Sequence, residues 1–199
     1  MPQKNTWITI GFLSLLVIIN IWMIGFGKQP WIISSLNIFF HEAGHWIFSF
    51  FGRFIMVLGG TVGELLIPII FLGYFTLHRQ IPGQVFSWWW VSVAFYDVAI
   101  YMADARARVL PLIGNQEGHD WAYLFRQLGV LEYDILISRL VIVIALSITV
   151  YMVVLIHRYW ELSTGKEITS LLQKIFFIIG SRKTNINRQC LQQNLGTSF

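Results

Sequence analysis

Charge is the scarcest commodity in this chain. Of 199 residues, 12% are Asp, Glu, Lys or Arg, against about 25% in soluble globular proteins. A domain this small has a high surface-to-volume ratio and needs charge to cover it. The shortage excludes a soluble enzyme, a disordered chain and a free nucleic-acid binder. Cysteine is nearly absent too: Cys190 stands alone, so no intramolecular disulfide forms. No internal repeat and no low-complexity tract occur, which argues against a transporter built from symmetric halves.

Apolar residues fill the gap. They make up 56% of the chain, with nine Trp and seven Tyr, and the mean hydropathy is +0.63. Such rings favour the boundary between lipid and water. The composition is that of an integral, multi-pass membrane protein whose solvent and first partner is the lipid bilayer. The net charge of +4 fits anionic headgroups better than nucleic acid.

Five apolar runs read as membrane helices in an all-α polytopic bundle. They are Trp7–Phe26, Trp31–Phe51, Thr61–Leu77, Val85–Asp104 and Ile135–Ile156. The first reads as an uncleaved membrane helix, too long for the apolar core of a signal peptide. Arg53 and Gly59-Gly60 are expected to break the chain between the second and third runs. Trp88-Trp89-Trp90 reads as an interfacial aromatic belt. The resulting division is 1–30 (first helix and turn), 31–105 (three-helix core), 106–133 (polar loop), 134–157 (fifth helix) and 158–199 (basic tail). Within the loop, Asp120–Leu128 reads as a short amphipathic helix. Leu171–Ile179 in the tail is too short to span and reads as interfacial.

The second run carries His41-Glu42-Ala43-Gly44-His45, an HExxH pattern. On a helix, residues four apart share a face, so both imidazoles can reach one ion. Zinc takes His nitrogens, and three protein ligands leave one position for water. Glu42 stands where a general base would take a proton from that water. Polar side chains deep in lipid are costly and mark functional sites by default. Ala43 and Gly44 leave room for substrate or another helix. Asn37, one turn before His41, is a candidate hydrogen-bonding group on the substrate path.

A third ligand has several candidates. Asp97 and Asp104 lie two turns apart on one face of the fourth run. His119 and Asp120 could fold back from the loop. Glu64 could reach the metal or anchor the Gly59-Gly60-Thr61 turn. Arg106 and Arg108 read as headgroup contacts, or as partners for an acid of the site.

The HExxH helix, an intervening helix and an Asp with a small residue on the next (Asp104-Ala105) together resemble the site-2 protease family of intramembrane metalloproteases. The resemblance covers about residues 31–110. It implies a three-helix core and zinc held by His41, His45 and Asp104, with Glu42 as catalytic base. It also places Gly59 and Gly60 beside the substrate path. The segments Asp104-Ala105-Arg106-Ala107 and His119-Asp120-Trp121 resemble a short, uncharacterised subgroup of that family, which makes Asp120 the alternative third ligand.

The function expected is zinc-dependent hydrolysis of peptide bonds in a membrane protein substrate. Two alternatives are a non-catalytic metal-binding scaffold and a membrane zincin with another third ligand.

Overall fold

The computed structural model describes residues 4–27, 31–110 and 118–165. The tail with Cys190 and Leu171–Ile179, and the loop stretch 111–117, lie outside them. Six helices follow in order: α1 (Lys4–Phe26), α2 (Trp31–Phe48), α3 (Arg53–Leu77), α4 (Ile81–Ala103), α5 (Asp120–Leu128) and α6 (Asp134–Thr164). Single 3-10 turns occupy Ser49–Phe51 and Leu131–Tyr133. No strand occurs among the described residues. The architecture is an all-α bundle.

Local chemistry sets the helix limits. Pro82 falls in the first turn of α4, where its missing N–H costs nothing. The His119 ring accepts from the Ala122 N–H and caps α5, and left-handed Gly129 closes that helix. Gly52, at φ +87°, turns the chain from the Ser49–Phe51 turn into α3.

The helix α4 forms the centre. Its Val85, Trp89, Trp90 and Val93 pack against Leu13, Leu16 and Met23 of α1 and Met152 and Leu155 of α6. At the other end, α5 lays Trp121, Leu124 and Phe125 against Val57 of α3 and Val98 and Met102 of α4. The outward faces of α1, α3 and α6 remain apolar, with Phe12, Ile18, Ile70, Phe71, Leu140 and Val150 all exposed.

Among the described residues, four helices are long and apolar enough to cross a membrane by length and composition: α1, α3, α4 and the stretch Leu131–Thr164 containing α6. The one left out is α2. Asn37, His41, Glu42 and His45 dilute its apolar content, so the helix carrying the motif is the least lipid-like of the long ones.

Two local expectations fail. Gly59 and Gly60 do not break the chain; both lie inside α3, which begins at Arg53. Glycine is a poor helix former, but here its missing side chain lets α2 and α3 touch. A Cβ on Gly44 would strike the Gly59 carbonyl oxygen, and one on Gly63 would sit 2.8 Å from the Gly44 Cα. Close backbone approach of this kind is a recurrent way for apolar helices to associate. Nor do the three tryptophans form a belt: Trp89 and Trp90 are buried, and the Trp90 N–H donates to Asn37 Oδ1 at 2.8 Å.

Candidate metal centre

Helical spacing puts His41 and His45 on one face of α2, with ring centroids 4.7 Å apart and planes at 85°. The ring atoms Nε2 of both converge on one oxygen. Asp120 Oδ2 lies 2.8 Å from His41 Nε2 and 3.1 Å from His45 Nε2. The three residues offer ligand atoms all within 4.8 Å of one another, the only such group among the described residues.

Asp120 is the first residue of α5, and two contacts hold it there. Its backbone N–H donates to the Tyr101 hydroxyl at 3.1 Å. His119, immediately before it, is buried and accepts from Ala122 N–H through Nδ1 at 3.3 Å. The proton of a neutral His119 ring therefore sits on Nε2, facing Asp104 Oδ2 at 3.5 Å. Burial holds His119 below the ordinary histidine pKa despite the nearby carboxylates of Asp104 and Asp120.

Asp104, the first-choice third ligand, therefore stands elsewhere. It ends α4 and accepts from the backbone N–H groups of Val109 and Leu110 at 2.9 and 3.0 Å. Both oxygens are engaged in folding the chain back after α4. Asp97 is also away from the imidazoles; it accepts from Ser34 Oγ–H at 3.2 Å and Asn37 Nδ2–H at 2.8 Å. Asn37 is 1% exposed; it ties α2 to Asp97 and Trp90 of α4 and stands in the wall of the cavity beside the imidazoles. Arg106 pairs with Asp134 at the start of α6, at 2.7 Å.

A stripe of α3 packs against both imidazoles. His45 Nδ1 lies 2.9 Å from the Met56 carbonyl oxygen, and a carbonyl can only accept, so Nδ1 carries the proton. Four residues on, Gly60 leaves a gap; a Cβ there would sit 2.6 Å from His45 Cε1 and 2.7 Å from His41 Nε2. The two rings fill the space that a side chain would take. Gly59 and Gly60 thus serve helix contact and ring placement, and no extended backbone is present there for a substrate strand to pair with.

Protonated on Nδ1, a neutral His45 points its Nε2 lone pair at the Asp120 carboxylate. Two acceptors facing each other at this range repel, and a cation between them removes the conflict. Two imidazole nitrogens with one carboxylate oxygen form a three-ligand set suited to a catalytic zinc. The residues present therefore fit the ion.

A cavity of about 560 Å³ opens beside this group, lined by His41, Glu42, His45, Arg53, Tyr101 and Asp120 among others. Its size is within the usual range for ligand sites. Glu42 has the exposure a base needs to meet water.

Tyr101 and the Met56 carbonyl were not singled out from sequence. Tyr101 could have been, since it lies one turn after Asp97 on α4. A backbone carbonyl has no sequence signal at all.

Fold and site together define an all-α bundle of apolar helices with a partly buried His/His/Asp group that could hold a metal ion. No protein-family model, curated protein or solved structure matches the chain.

Proposed function

We propose that the chain is an integral membrane zinc endopeptidase that cleaves a membrane-associated protein, built on a plan like that of the site-2 proteases. One observation carries the reading: His41 Nε2 and His45 Nε2 both lie about 3 Å from Asp120 Oδ2 beside a cavity that Glu42 also lines. The third ligand in this reading is Asp120, supplied by the amphipathic α5, and not Asp104.

When bound, zinc lowers the pKa of a water and polarises the scissile carbonyl. His41, His45 and Asp120 would hold it. The Glu42 carboxylate takes a proton from the attacking water and returns it to the leaving amine nitrogen. The cavity admits the peptide bond and a water, while α3 and α5 cover much of the imidazole rings. A structural metal site has no use for a carboxylate next to its first ligand, so Glu42 favours hydrolysis over a non-catalytic scaffold.

The test is metal content and cleavage of a quenched-fluorescent peptide library by detergent-solubilised full-length protein. Glu42→Gln is expected to keep its zinc and lose about 10²–10⁴-fold in rate. His45→Ala is expected to lose the zinc. Undiminished cleavage by Glu42→Gln, or equal zinc in wild type and His45→Ala, overturns the reading.

A further inference from the structure

We infer that Glu64 is a positioning residue for the metal site, holding His41 from behind as the Met56 carbonyl holds His45. The inference rests on the zinc reading above and adds to it a charged outer partner that no ligand motif contains.

Met56, Gly60 and Glu64 are spaced four apart on α3 and so form one stripe along it. The first meets His45 Nδ1 through its carbonyl, and the second makes room for both rings. The third places Oε2 3.6 Å from His41 Nδ1. That separation is just outside hydrogen-bonding range, and such contacts in sites without their ligands are often long and tighten on binding. Glu64 is buried, and its Oε1 has no hydrogen-bond partner. A buried acid in an apolar helix is expensive unless something repays it. Nothing on α3 does so; what faces its other oxygen is the ring nitrogen of His41.

The consequence is a definite tautomer. With a Glu64 oxygen accepting from Nδ1–H, His41 presents an unprotonated Nε2 toward Asp120 and the metal locus. Outer partners of this kind fix ring orientation and raise ligand basicity, and losing one typically weakens metal binding about 10–100-fold. Glu64 lines the cavity wall, but its Oε2 faces His41 Nδ1 and it is not one of the three grouped ligand residues. It acts through His41.

The experiment measures zinc affinity by chelator competition on full-length protein in detergent, together with the melting midpoint of the metal-free protein. Glu64→Leu, which removes the acceptor, is expected to bind zinc about 100-fold more weakly. Glu64→Gln, which keeps an acceptor oxygen and loses the charge, is expected to recover to within about 10-fold of wild type. A merely structural role would instead lower the metal-free midpoint and leave affinity alone. Should Glu64→Leu not fold, Glu64→Asp takes its place: the carboxylate is kept but withdrawn from Nδ1, and affinity falls. Wild-type affinity in Glu64→Leu or its Asp substitute overturns the inference, as does a Gln variant no better than Leu. If wild type itself binds no zinc, the metal reading fails and this inference with it; if only the Glu64 variants behave as wild type, the metal reading survives alone.

Discussion

Asn20 of α1, Ser92 of α4 and Thr149 of α6 meet in one half of the bundle, where the Asn20 amide donates to both hydroxyls at 2.8 and 2.6 Å. In the other half, α2, α3 and α5 bring together His41, His45, Glu64 and Asp120. Both clusters put buried or partly buried polar groups among apolar helices, but they differ in what faces them. Ser92 and Thr149 each pass their own proton to the Ala145 carbonyl, so every hydroxyl hydrogen is spent inside the cluster, and no member ionises. The histidine cluster has an excess of acceptors aimed at one point and a cavity beside it. One cluster joins helices. The other gathers two imidazoles and a carboxylate that could hold a metal ion.

The sharpest way to break that contrast is to replace Asp120, inside the second cluster, and Asp104, outside it, one at a time. Asp120→Ala takes away the oxygen shared by both imidazoles and is expected to reduce bound zinc to background. Asp104→Asn is expected to retain zinc. Its cost is to stability, about 1–3 kcal/mol, because an amide side chain cannot accept from both Val109 and Leu110 N–H as the carboxylate does. Metal analysis and thermal melting of the two variants side by side separate the roles. Zinc lost from Asp104→Asn and kept by Asp120→Ala would return the third ligand to α4.

That pair of residues also shows what was legible in the sequence. The all-helical membrane-type composition, the α2 motif and the limits of α5 could be read directly, because each depends on local spacing or on bulk hydropathy. The acid that meets the two histidines could not. Asp104 and Asp120 are both acids next to small or aromatic residues, and which one reaches His41 depends on how the chain turns after α4. That turn is made by Asp104 itself, through backbone amides that carry no side-chain signature. Gly59-Gly60 misled for a related reason: glycine's low helix propensity is a local property, whereas the contact with α2 that keeps α3 helical is a tertiary one. The tryptophans followed the same pattern, since hydropathy does not say which face of α4 is covered by α1 and α6.

Gly60 offers a smaller and more selective perturbation of the same cluster. By propensity alone, Gly→Ala in a helix interior gains about 1 kcal/mol. Gly73, in the same helix with nothing within 4 Å of its would-be Cβ, is expected to show that gain. At Gly60 the new methyl would press on both imidazoles at 2.6–2.7 Å, and the sign reverses. Overpacking of this size costs about 1–3 kcal/mol, and displaced rings no longer meet at Asp120. Melting and zinc affinity of Gly60→Ala against Gly73→Ala therefore report whether the rings rest on α3. A Gly60→Ala variant as stable and as zinc-competent as Gly73→Ala would show that they do not.

The joining cluster should be the more forgiving. Asn20→Leu replaces the amide with an apolar side chain of similar shape, and the hydroxyls of Ser92 and Thr149 keep their bonds to Ala145. The Asn20 Oδ1 has no partner to lose, so its removal offsets part of the two lost donor contacts. Hydrogen bonds between membrane helices average about 0.6 kcal/mol, which puts the net change within about 1 kcal/mol, with zinc content unaltered. Melting in detergent with parallel metal analysis checks both halves of the statement. A large loss of stability would mean that Asn20 does more than join helices, and a loss of zinc would mean that the two halves of the bundle are coupled through α4.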